Sequence, residues 1–92
     1  MSTLRKGFGN GLRQIRKARD LSQEDFSDVS SRTYLSSLER GTKSPTLDKL
    51  EQLAGVLRVH PLTLFAAAYV HRKGDLEKLL ETVRQQVNEI TG

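Results

Sequence analysis

Residues 21–41 read LSQEDFSDVSSRTYLSSLERG, and their spacing predicts two short helices joined by a tight polar turn. Ser22 suits an N-cap, and Gln23, Glu24 and Asp25 put acid into the first turn, where the helix dipole favours it. Asp25, three residues after Ser22, completes a shortened capping box. Phe26 and Val29 share one helical face, and Ser30-Ser31 breaks the pattern. In the second helix Leu35 and Leu38 form a thin buried stripe, and Gly41 is placed to close it in the left-handed conformation. The other face carries Arg32, Thr33, Ser36, Ser37 and Arg40. A solvated helix surface would account for such a face, but packing alone would not. A surface that reads something polar accounts for it better.

The 92 residues allow one small domain. Hydrophobic residues make up 36%, enough for a single core. No apolar run approaches the roughly 20 residues of a membrane-spanning helix. The N-terminus MSTLRKGFGNG has no apolar segment of the kind a secretory signal needs, so the expected location is cytoplasmic. Cysteine is absent, which excludes disulfides and thiolate metal sites. The net charge is +4. Residues 1–20 hold Arg5, Lys6, Arg13, Arg16, Lys17 and Arg19 against Asp20 alone, so the remainder is slightly acidic. A positive first helix fits a polyanionic partner, or simply a solvated basic face.

Outward from the opening stretch, residues 1–7 read as a basic arm. GFGNG at 7–11 lacks the strand and the spacing of a phosphate loop and reads as the start of a helix. Phe8, Leu12, Ile15 and Ala18 follow at helical steps, with Arg13, Arg16 and Lys17 on the other side. After Gly41, Thr42-Lys43-Ser44-Pro45 is a polar connector. Thr46 can cap a helix striped by Leu47, Leu50, Leu53, Ala54 and Leu57. His60-Pro61 starts another, apolar almost all round from Leu62 to Tyr69. His71–Gly74 is a break. Asp75 can cap a last helix whose Leu76, Leu80, Val83, Val87 and Ile90 alternate steps of four and three, a heptad-type seam about two repeats long. No alternating β pattern occurs.

Gln23-Glu24-Asp25, Arg32-Thr33-Tyr34-Leu35-Ser36, Leu38-Glu39-Arg40-Gly41 and the following Ser-Pro-Thr-Leu together resemble the phage-repressor and Cro-like (Xre) helix-turn-helix family, including restriction–modification controller proteins. The resemblance covers about residues 8–69. It implies an all-α fold: a compact five-helix repressor-like bundle over residues 8–70, with an additional C-terminal amphipathic helix over 71–92. Family members have a longer turn where Val29-Ser30-Ser31 stands, so the first motif helix is expected to end early or turn more tightly. The resemblance implies that the second motif helix enters the DNA major groove, with Arg32, Thr33, Ser36 and Ser37 facing base edges. Gln23, Tyr34, Arg40, Thr42, Lys43 and Ser44, with Arg13 and Lys17 of the first helix, would grip phosphates. Glu39 would turn inward, with Arg16 a candidate partner. Arg5 and Lys6 could reach a minor groove as an arm, although a disordered tail is the favoured reading.

These residues point to a sequence-specific DNA-binding transcriptional regulator, acting on a roughly palindromic operator as a homodimer. Leu62, Phe65 and Tyr69, or Leu76, Leu80 and Val83, are the candidate dimer surface. The rival is a protein-interaction module such as a toxin-neutralising antitoxin, with the C-terminal helix holding a protein partner. Enzyme function has no support: His60 reads as a helix cap, no ligand set has metal spacing, and no cofactor is implied.

Overall fold

The computed structural model describes residues 3–92, and its described residues form five α-helices and one 3-10 turn. They are α1 (Thr3–Ala18), the turn Gln23–Phe26, α2 (Arg32–Glu39), α3 (Leu47–Leu57), α4 (Pro61–Ala66) and α5 (Asp75–Thr91). Phe8 and Leu12 from α1 meet Phe26, Leu35 and Leu38 from the motif, then Leu53, Ala54 and Leu57 from α3 and Leu64 and Ala68 from α4. This one cluster is the core. At about 1.5–3 kcal/mol for each large side chain fully buried, it dominates the stability of so small a chain.

The expected arm is mostly helix. Thr3 to Gly7 belong to α1, and the first two residues lie outside the described part. GFGNG is therefore no helix start but the place where α1 touches its neighbours. A Cβ at Gly7 would lie 2.5 Å from the Ala68 carbonyl oxygen, one at Gly11 2.6 Å from the Ala67 Cβ, and one at Gly9 2.4 Å from the Leu38 carbonyl oxygen. Each mid-helix glycine costs roughly 0.5–1 kcal/mol against alanine, and here it allows a backbone approach that no side chain would permit.

The first motif helix is shorter than the Phe26–Val29 spacing predicts. It is a four-residue 3-10 turn, held at its start by the Ser22 N–H donating to Asp25 Oδ2 at 2.7 Å. Both the Val29 and Ser30 N–H groups fold back onto the Phe26 carbonyl, at 3.0 and 2.9 Å. Lys49 reaches across from α3 and donates to the Val29 carbonyl. Phe26 is still fully buried. The turn keeps the anchor and drops the rest of the helix.

Downstream, Thr46 caps α3, its hydroxyl oxygen accepting from the Lys49 N–H at 3.0 Å. Leu47, expected in the α3 stripe, is 84% exposed: as the first residue of α3 it borders a surface cleft with Leu4 and Phe65 rather than the core. His60 Nδ1 accepts from the Leu62 N–H at 2.9 Å and caps α4, with Pro61 following. Gly74 is the left-handed N-cap of α5 (φ 93°), the place expected for Asp75. Asp75 instead braces the break, accepting from the N–H groups of His71 and Arg72 at 2.9 and 2.8 Å. Those two bonds hold its carboxyl below the usual aspartate range, the His71 bond first. Among the described residues no helix is long and apolar enough to cross a membrane.

Candidate nucleic-acid interface

Eight residues set the geometry of α2. Ser31 caps it, its Oγ accepting from the Tyr34 N–H at 3.1 Å. Leu35 and Leu38 are fully buried and fix which side faces the core. At 3.6 residues per turn, Arg32, Thr33, Ser36 and Arg40 then fall within an outward arc of roughly 100°. Arg32 and Thr33 are exposed and Ser36 is half-buried. Arg40 lies along this face, its Nη1 donating to Ser36 Oγ at 2.6 Å. The base-reading candidates Arg32, Thr33 and Ser36 are thus presented together.

Ser37 does not join them. It is 7% exposed and its hydroxyl donates to the Thr33 carbonyl at 3.0 Å. The chain leaving α2 turns back over it: the Thr42 N–H and hydroxyl both donate to the Ser37 carbonyl, at 3.0 and 3.1 Å. Gly41, with φ 77°, makes that reversal and packs on Lys6 of α1. Ser37 is a structural residue of the α2 terminus and, contrary to expectation, does not lie on the outward face.

Behind the face, Arg16 and Glu39 form a nearly buried bidentate pair, with Nε–Oε2 at 2.6 Å and Nη2–Oε1 at 3.0 Å. The third arm of Arg16, Nη1, donates to the Leu21 carbonyl at 2.9 Å. Hydrogen bonding to Glu39 raises the Arg16 pKa above its ordinary value. One side chain thereby ties α1, the start of the 3-10 turn and the end of α2 into a rigid unit. Glu39 points inward, as the resemblance implies. Gln23 joins the network, its amide donating to Glu39 Oε1 at 3.2 Å. A phosphate there would be met by a side chain already braced on one hydrogen.

The remaining candidates flank this unit. Arg13, Arg16, Gln23, Ser36, Glu39 and Arg40 line one shallow polar depression. A second runs from Arg16 through Ser22, Gln23 and Glu24 to Arg32. Lys17 is exposed further along α1. On the far side of α2, Tyr34 is half-buried, with its hydroxyl 3.5 Å from the Ser44 carbonyl. The ammonium groups of Lys43 and Lys49 both stand 5.8 Å from its ring centroid. Thr42, Lys43 and Ser44 are exposed in the same connector. Sequence reasoning passed over Lys49, because no local pattern marks a first-turn lysine that reaches across to Val29 and Tyr34. Lys6 lies against Gly41, and Arg5 lines a small apolar cleft with Ser44, Pro45 and Thr46. Both belong to α1, so, contrary to expectation, they form no separate arm.

The expected dimer residues fall on two surfaces. Leu62, Leu76 and Leu80 line one groove between α4 and α5. Phe65 borders the other cleft, with Leu4, Phe8, Leu47 and Leu50, and its ring meets Tyr69 edge-on at 5.6 Å. Val83 lies further out on α5 and is 41% exposed.

Comparison with known proteins agrees with this geometry. A family model described as helix-turn-helix matches residues 12–64, from the core of α1 to Leu64 of α4. Control protein C.BamHI of Bacillus amyloliquefaciens is 39% identical over 66 residues, 68% of this chain and 82% of the relative. Control protein C.MunI of a Mycoplasma species is 39% identical over 70 residues, 72% and 93% of the two chains. An uncharacterised HTH-type transcriptional regulator, y4dJ of Sinorhizobium fredii, is 40% identical over 63 residues, 66% and 82%. With α2 presented on a core built from α1, α3 and α4, the chain belongs to the Xre-like helix-turn-helix family of DNA-binding transcription regulators.

Proposed function

We infer that the chain is a sequence-specific regulator of the controller or repressor type, reading a roughly palindromic operator as a homodimer. The observation that carries this reading is the orientation of α2. Its apolar side is fully buried, its Arg32–Thr33–Ser36 side faces out, and the Arg16–Glu39 pair braces its last turn. A helix so held can enter a major groove without reorganising. Arg32 has the reach and the two parallel donors that guanine O6 and N7 accept. Arg13, Lys17, Arg40 and Lys43 supply the phosphate grip around it, and Gln23, Tyr34, Thr42 and Ser44 add uncharged donors. Two copies on half-sites about one DNA turn apart would supply the specificity that one small module lacks. The relatives named as control proteins and as a transcriptional regulator support the same class.

Four cations in each of two copies neutralise about eight phosphates, so log affinity should fall against log salt with a slope near −7. Between 50 and 200 mM salt that is a loss of roughly 10⁴-fold. A duplex-binding titration across that range tests it. Weak, salt-insensitive binding of every duplex would instead favour a protein-interaction module.

A further inference from the structure

Helix α5 has no buried residue, although one side of it is apolar along its whole length. Leu76, Leu80, Val83, Val87 and Ile90 are between 41% and 83% exposed. A helix of this length is marginal in water unless something covers its apolar side. Within the chain, Leu76 and Leu80 line an open groove with Leu62, Ala66 and Val70, and the three residues beyond them do not.

Two charges indicate the occupant. The four–three spacing puts Leu76, Val83 and Ile90 at one seam position and Leu80 and Val87 at the other, with Glu77 and Arg84 seven apart on one edge. In a parallel pair of α5 helices opposite edges meet, so Arg84 would face the partner's Leu79, and Glu77 would face position 72, which lies before the helix and where Arg72 is already drawn to Asp75. In an antiparallel pair like edges meet. The register that sets Leu80 against the partner's Val83 also sets Leu76 against the partner's Val87. The same register places Glu77 beside the partner's Arg84 and Arg84 beside the partner's Glu77. A shift by one heptad, with Val83 against the partner's Val87, would also close the seam but would set Arg84 against the partner's Arg84. The register with Leu80 against Val83 pairs both charges, which is the self-complementarity a two-fold interface requires.

We propose that α5 pairs antiparallel with α5 of a second copy of this chain, about a two-fold axis between Leu80 and Val83, with Glu77–Arg84 pairs on both sides. Ile90 then runs past the first turn of the facing helix toward Val70, where the groove is open. In the single chain Arg84 bonds Glu81 at 2.6 Å; both are exposed, so that pair is easily given up. The pairing rests on the dimer of the proposed function and assigns it an element and a direction.

Sedimentation equilibrium of the full chain without DNA tests the pairing. The wild type should dimerise. Leu80→Asp with Val83→Asp should leave a folded monomer, because neither side chain belongs to the core. Glu77→Arg or Arg84→Glu alone creates two like-charge contacts and should weaken the dimer about tenfold, and the double reversal should restore it. Spin labels on Asn88→Cys should lie about 20 Å apart along the helix axes, at 1.5 Å per residue. A dimer that survives Leu80→Asp with Val83→Asp overturns the α5 pairing and leaves a dimeric regulator standing. Labels side by side, or charge reversals that do not compensate, overturn the antiparallel order. A monomer both free and on DNA removes the dimer itself.

Discussion

Arg16 and Glu39 form a nearly buried ion pair. Their side chains are 11% and 6% exposed, so removing either leaves a charge nearly buried and unpaired. Arg16→Met should cost about 3 kcal/mol, the lower end for a buried pair that loses one member. Urea unfolding reads that cost, and a loss within 0.5 kcal/mol would show that the pair is not structural. Ser36 and Ser37 offer a sharper comparison, since both are serines of one short helix. Ser37→Ala removes a hydroxyl that bonds only within the protein, so it should lower stability by about 1 kcal/mol and leave base preference unchanged. Ser36→Ala should do the reverse. The helical period correctly put Ser37 beside the polar face. Its burial comes from the chain folding back at Gly41, which the period of α2 cannot contain.

Among the elements, α1 shows how backbone approach is written in glycine. Gly9→Ala places a Cβ against the Leu38 and Glu39 carbonyl oxygens, both backbone, so the helices must part. We expect a loss of about 1–3 kcal/mol, with weaker DNA binding because the end of α2 moves. Gly55→Ala in α3 meets nothing within 4 Å and should stabilise by about 0.5–1 kcal/mol. Equal effects in thermal melts would contradict the assignment of Gly9 to a helix crossing. The break before α5 depends on pH. The Asp75 carboxyl is held below its ordinary value, so its contribution is complete above the usual aspartate range. It is lost only as pH falls through the lowered folded value. The amide shifts of His71 and Arg72 should titrate together with a midpoint below that of an exposed aspartate. A midpoint at the ordinary value would mean that the two bonds are not kept in solution. The helices themselves were legible wherever an apolar stripe recurs, as at Leu35 and Leu38 or Leu53, Ala54 and Leu57. The 3-10 turn was half legible: the short Val29-Ser30-Ser31 turn pointed to an early end, but Phe26 and Val29 satisfy a helical spacing whether or not the helix continues past Phe26. The bonds that end it come partly from Lys49, in another element.

For the whole molecule, the division of labour follows the charge. Lys6, Arg13 and Arg16 of α1 lie beside the end of α2, while the residues after Asp20 are slightly acidic in sum. That asymmetry was visible in composition. Its spatial meaning was not, since Lys6 and Arg13 reach the α2 terminus only through the α1–α2 crossing at Gly9. Selection of bound fragments from random duplex DNA, followed by titration of Arg32→Ala on the selected site and its single-base variants, tests the central claim most directly. The α2 reading predicts an inverted repeat with half-sites about one DNA turn apart, and a loss of roughly 1–3 kcal/mol for Arg32→Ala that vanishes when one guanine per half-site is replaced. An enriched sequence that Arg32→Ala binds as tightly as the wild type, or an equal loss on every sequence, would contradict it.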